Sequence, residues 1–220
     1  MNTNTHAGNT MGPLTPNGNA RPWTPWRIAL WSAPAILLLI PLVAMQFSAE
    51  VEWTAFDFTI AALALYGALA VYERVSGLSG NTRYRTAVGV AVATLLVLLW
   101  INGAVGIIGD GDINLLYFFV FAVGVLGALI ARFQPLGLAR TLVAMAVTQM
   151  AIPAIALVIW KTGSAEIVQE MFANPNSPHG PFSPGIAPVF VLNGVFALLF
   201  IASAGLFREA ARPEPVEGLP

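Results

Sequence analysis

The chain contains no cysteine, which removes disulfides, thiolate nucleophiles and cysteine-ligated metals at once. Charge is scarce as well. Only 10% of the 220 residues are Asp, Glu, Lys or Arg, and Lys161 is the lone lysine. Both histidines, His6 and His179, stand in polar or proline-punctuated stretches with no second histidine or acidic partner nearby, so we expect no metal from them. The sequence holds no H-E-x-x-H, G-x-S-x-G or P-loop pattern and no histidine pair at haem spacing. The hydrolase, nucleotide and haem chemistries that those patterns carry are therefore not expected, and neither is any cofactor. A net charge of -1 is uninformative about nucleic acid, since the distribution of charge matters more than its sum, and no nucleic-acid partner is expected.

What is abundant is hydrocarbon. Residues of the hydrophobic class make up 57% of the chain and the mean hydropathy is +0.73, more than one water-soluble core of this size could bury. A bilayer core about 30 Å thick needs roughly 20 apolar residues as helix, because backbone donors and acceptors must pair within the segment. Six runs meet that demand, at about 28–47, 57–73, 86–108, 113–132, 138–160 and 187–207. We therefore expect an all-α integral membrane protein, a bundle of six transmembrane helices spanning 27–208. The polar tails 1–26 and 209–220 have too little apolar content to order themselves. The first run is too long for a signal-peptide core, and Gln46 or Phe47 would stand where cleavage wants a small residue, so it reads as retained. Pro34 and Pro41 within it predict a bend.

Orientation follows from the cations. With six spans, the tails and the second and fourth loops share one side and hold Arg21, Arg27, Arg74, Arg83, Arg85, Arg132, Arg140, Arg208 and Arg212, against Lys161 alone on the other. Cytoplasmic loops retain Lys and Arg, so both termini are expected in the cytoplasm. The outer loop 161–186 then begins with a segment, SAEIVQEMFA, whose Ile167, Val168, Met171 and Phe172 share one helical face and suit a short surface helix.

The organising stretch is the hairpin Trp100 to Phe133, in which two apolar runs meet at Gly109-Asp110-Gly111-Asp112. So short a link predicts two helices lying side by side, antiparallel. Asp110, Asp112 and Asn114 form an acidic outer turn that begins like a calcium loop, but Leu115 stands where glycine is required and Phe121 where the bidentate glutamate belongs. The G-x-G-D string also resembles intramembrane aspartyl proteases. That chemistry needs a second aspartate, and Asp57 is the only one left. We expect the glycines to make the turn and the aspartates to keep its tip in water.

The polar side chains within the spans are few and uncharged: Asn102, Tyr117, Thr148, Gln149 and Asn193. Asn102, Tyr117 and Asn193 fall about 6–9 Å inside the outer boundary at helical rise, with Thr148 and Gln149 deeper. They form either an outward-facing polar pocket or an interhelical hydrogen-bond network, the latter worth about 0.6 kcal/mol per contact. Asn102 is expected to pair with Gln149 or Asn193, or else with Tyr117. Gly103 and Gly106, and Gly124 and Gly127, are positioned to let helices approach closely.

Trp100-x-Asn102-x-Ala-Val-Gly-Ile-Ile-Gly109, Gly127-Ala-Leu-Ile-Ala-Arg-Phe-x-Pro135 and Leu138-Ala-Arg-Thr-Leu142 together resemble a family of small bacterial inner-membrane proteins with no established activity. The likeness covers roughly residues 30–160, and departs from the family at the turn. It implies a multi-pass protein of the bacterial cytoplasmic membrane. The reading that results is a non-enzymatic structural or partner-binding membrane subunit, whose partners are the lipid bilayer and another membrane protein or a second copy. The alternative is a carrier or receptor for a small neutral solute or lipid.

Overall fold

The computed structural model describes residues 24–48, 51–104, 106–108, 112–161 and 186–213. The chain divides into two compact units, Met1–Glu52 and Trp53–Pro220. Apart from short connections the described residues are helical, and six of the helices are long and apolar enough to cross a membrane. The chain is a multi-pass membrane protein.

The first unit holds α1 (Pro25–Phe47). Pro25 opens it at a position where a missing N–H costs nothing, and the helix continues through both Pro34 and Pro41. Ile36, Leu39, Ile40 and Val43 stand exposed along it, the surface expected of a helix that meets hydrocarbon.

The second unit starts with α2 (Ala55–Ser76). Its first turn is closed reciprocally. The Asp57 N–H donates to Thr54 Oγ1 at 3.3 Å, and Asp57 Oδ2 accepts from the Thr54 N–H at 2.7 Å, so two of the four orphan donors of a helix start are satisfied. That occupation accounts for the only aspartate outside the hairpin. Asn81 does the same for α3 (Thr82–Ala104), its Oδ1 accepting from the N–H groups of Arg83 at 2.8 Å and Tyr84 at 3.3 Å. A 3₁₀ turn, Asp112–Tyr117, leads into α4 (Phe118–Ile130); α5 (Pro135–Lys161) and α6 (Ile186–Ala210) complete the unit.

Packing is antiparallel between chain neighbours α2 and α3, and α4 and α5, while α6 lies against both α5 and α3. The α4–α5 contact is set by glycine. A methyl group at Gly127 would collide with the Thr141 side chain, and one at Gly124 would come within 3.1 Å of Met145 Sδ. The turn between them carries Arg132 and Phe133 in left-handed conformation, φ 50° and 58°, and Tyr84 Oη donates to the Phe133 carbonyl at 2.9 Å. Tyr84 also stacks edge-on against Phe207 at 5.1 Å. In this way the starts of α3 and α5 and the ends of α4 and α6 are drawn together, which collects Arg74, Arg83, Arg85, Arg132, Arg140 and Arg208 at one end.

Two expectations about the hairpin need correction. Helix α3 stops at Ala104, not near residue 108, because Gly106 takes φ 67° and Ile107 and Ile108 follow as buried, non-helical residues. Nor do α3 and α4 run side by side. The connection is longer than the four-residue turn read from the sequence, α6 takes the place beside α3, and α4 is held to α5. Gly103 shares no close approach, since a methyl group there would meet nothing within 4 Å. The outer-loop helix expected at SAEIVQEMFA lies outside the described residues, as do residues 1–23 and 214–220 of the polar tails. Where the tails are described they differ from the expectation, since α1 already begins at Pro25 and α6 runs on to Ala210.

Candidate functional site

Three of the five polar side chains singled out in the spans converge. Tyr117 comes from the end of the 3₁₀ turn, Gln149 from the middle of α5 and Asn193 from the N-terminal half of α6, and all three are 0% exposed. Asn193 is the hub. Its Nδ2 donates to the Val189 carbonyl one turn back, at 2.8 Å, and a carbonyl can only accept, which fixes the orientation of the amide. Asn193 Oδ1 then faces its two neighbours and accepts from Tyr117 Oη at 3.0 Å and from Gln149 Nε2 at 2.9 Å. The remaining oxygen of the cluster, Gln149 Oε1, is buried without a donor. Pro153, four residues further along α5, has no N–H to offer the Gln149 backbone carbonyl in the usual helical bond. The cluster thus keeps one buried side-chain acceptor without a donor.

Asn102 does not join this cluster. Its Nδ2 donates to the backbone carbonyl of Asn114 at 3.3 Å, so its partner is the loop of its own hairpin and not Gln149, Asn193 or Tyr117. Asn114 turns inward as well: its Oδ1 accepts from the N–H groups of Ile107 at 3.1 Å and Ile108 at 3.0 Å. A residue expected on a solvated acidic turn therefore holds the end of the loop together. Asp110 lies outside the described residues; Asp112 opens the 3₁₀ turn by its backbone, its side chain outside what is described. Thr148 bonds back to the Ala144 carbonyl of its own helix at 3.0 Å and stays on the outer face, leaving it apart from both groups.

Chemically the buried cluster consists of a phenol and two amides. These can accept and donate hydrogen bonds, but they include no carboxylate or imidazole to move a proton. Among the described residues no group of three or more His, Asp or Glu stands close enough to hold a metal ion. Two polar contacts escaped the sequence reading. Ser203 Oγ donates to the Ala87 carbonyl at 2.8 Å, pinning α6 to α3, and the Tyr84–Phe133 bond closes the arginine end. A serine within an apolar span is a weak signal, since serine often bonds back to its own helix. No family model, curated protein or solved structure matches this chain.

Proposed function

We propose that the chain is a non-enzymatic, multi-pass subunit of a bacterial cytoplasmic membrane, which packs into or anchors a larger assembly and carries its arginine end and both termini in the cytoplasm. One observation supports this reading above the others. The polar groups that a carrier would turn toward a solute, Tyr117, Gln149 and Asn193, are bonded to each other and fully buried. A solute site of about 300 Å³ or more would need them in its wall. Two cavities among the described residues, of about 460 Å³ and 600 Å³, are lined by other residues. At the arginine end, Arg83 reaches Glu209 at 3.7 Å, and the neighbouring cations Arg74, Arg132 and Arg140 supply a surface for an acidic partner.

The second reading, a receptor or carrier for a small neutral solute, has one observation in its favour, the donor-free Gln149 Oε1. Reconstitution separates the two. Vesicles containing the purified chain are expected to take up urea and glycerol no faster than protein-free vesicles, and in mild detergent the chain is expected to migrate as an assembly larger than one 23.3 kDa copy. Saturable uptake that Asn193→Leu abolishes would replace the subunit by the carrier.

A further inference from the structure

Where α3 and α4 part, they leave a lateral groove of about 460 Å³ with α2 and α4 as its rims and α3 and α5 as its floor. Val88, Ala91 and Val92 line it from α3, Phe121 and Ala128 from α4, and Leu142 from α5. On the rims Val71, Val125 and Leu129 are exposed, so the groove opens sideways, toward the hydrocarbon in which this unit sits. Among the lining residues only Arg74 is charged. It stands near the end of α2, level with Phe133 and Phe207, and therefore at the arginine end of the bundle.

We propose that this groove is a binding site for one anionic phospholipid, with an acyl chain along the apolar floor and the phosphate on the Arg74 guanidinium. Size argues against a helix as the occupant. Three turns of helix, about 10 Å across and 16 Å long, fill roughly 1,200 Å³, and the groove offers about 460 Å³. A thin, flexible alkyl chain fits, and an empty groove would leave its walls without dispersion partners. The tail alone confers no selectivity, because bulk lipid is as apolar as the groove. Selectivity comes from charge. A guanidinium at the membrane surface pairs with a phosphate oxygen through directed N–H bonds and adds a long-range preference for a net negative headgroup over a zwitterionic one. Arg74 has neighbours of the same sign, Arg85 and Arg132, at the same end, which favours an anion over a cationic or neutral headgroup.

The test is native mass spectrometry of the full chain released from bilayers of equal parts phosphatidylglycerol and phosphatidylcholine. One retained phospholipid per chain is expected, enriched about fivefold in phosphatidylglycerol, the factor that one surface arginine contributes. Arg74→Gln should bring the enrichment close to one while leaving a lipid in place. Arg83→Gln, whose guanidinium lies on Glu209 and outside the groove, should not change it. Ala128→Phe, or the milder Ala91→Leu if the first does not fold, should fill the groove and reduce retention several-fold. Absence of any retained phospholipid, retention without headgroup preference, or equal loss in Arg83→Gln and Arg74→Gln would each overturn the proposal. So would efficient cross-linking of two copies through Val125→Cys in this cysteine-free chain, since a second copy would then cover the groove.

Discussion

The Tyr117–Asn193–Gln149 cluster makes an unusual rank order of mutational effects. Tyr117→Phe deletes one donor to Asn193 Oδ1, but that oxygen keeps the bond from Gln149 Nε2 at 2.9 Å. The cost should be that of one interhelical bond in a membrane, about 0.6 kcal/mol and at most about 1.7. Asn193→Leu removes the shared acceptor and strands two fully buried donors, Tyr117 Oη and Gln149 Nε2. At about 1–3 kcal/mol per stranded group, and toward the low end where the unfolded chain in lipid also finds partners, the loss is about 2–4 kcal/mol. Gln149→Leu behaves differently. It gives up one bond but also removes Oε1, a buried acceptor with no donor, so its effect should lie between neutral and about 2 kcal/mol of stabilisation. Reversible unfolding in mixed dodecylmaltoside and dodecyl sulfate micelles, followed by ellipticity, measures all three. If Gln149→Leu is as damaging as Asn193→Leu, Oε1 has a donor after all and the reasoning from its isolation fails. Tyr117→Phe combined with Gln149→Leu should depart from the sum of the singles, because both act on one oxygen; strict additivity would break the hub assignment.

Other outcomes follow from single contacts. For topology, a cysteine at Gly80 should label only after the cytoplasmic side is opened, and one at Ser177 should label on intact cells; the reverse pattern inverts the bundle. Gly127→Ala should destabilise by about 1–3 kcal/mol through its collision with Thr141. Gly103→Ala has open space and should gain up to about 1 kcal/mol from helix propensity, so equal effects at the two positions would refute the glycine-set α4–α5 contact. Asn114→Leu leaves the N–H groups of Ile107 and Ile108 without their acceptor and should lower the melting temperature clearly, whereas Asn114→Asp keeps an acceptor oxygen and should retain most of the stability. Thr54→Ala, which opens the cap of α2, should cost about 1 kcal/mol in the same micelle titration; no change would mean that the first turn is held from elsewhere.

Much of the architecture is written locally. A segment that crosses hydrocarbon must satisfy its own backbone and match the bilayer thickness, so each span shows itself as a run of apolar residues without reference to the rest of the chain. Helix starts are local in the same way: Thr54 with Asp57, and Asn81 ahead of Arg83, are pairs within one turn. The gathering of Tyr117, Gln149 and Asn193 as polar candidates was legible too, because polar side chains in lipid are few and need partners.

Which helix lies beside which was not legible, and the physical reason is the solvent. In water a core-facing stripe differs in polarity from the exposed face, but in a bilayer both faces are apolar, so α3 carries no stripe that points to α6 and α4 none that points to α5. Neighbours are chosen instead by steric fits, as at Gly127 against Thr141, and by single hydrogen bonds between distant positions, Tyr117 to Asn193 across 76 residues and Ser203 to Ala87 across 116. The short link of the hairpin suggested that α3 and α4 pair, and tertiary packing overrode it. Asn102 shows the same limit on a smaller scale. That its amide needed a partner followed from its place in the span, but the choice of the Asn114 carbonyl depended on α3 ending at Ala104 and on where the 3₁₀ turn that carries Asn114 is placed, which only the assembled bundle decides.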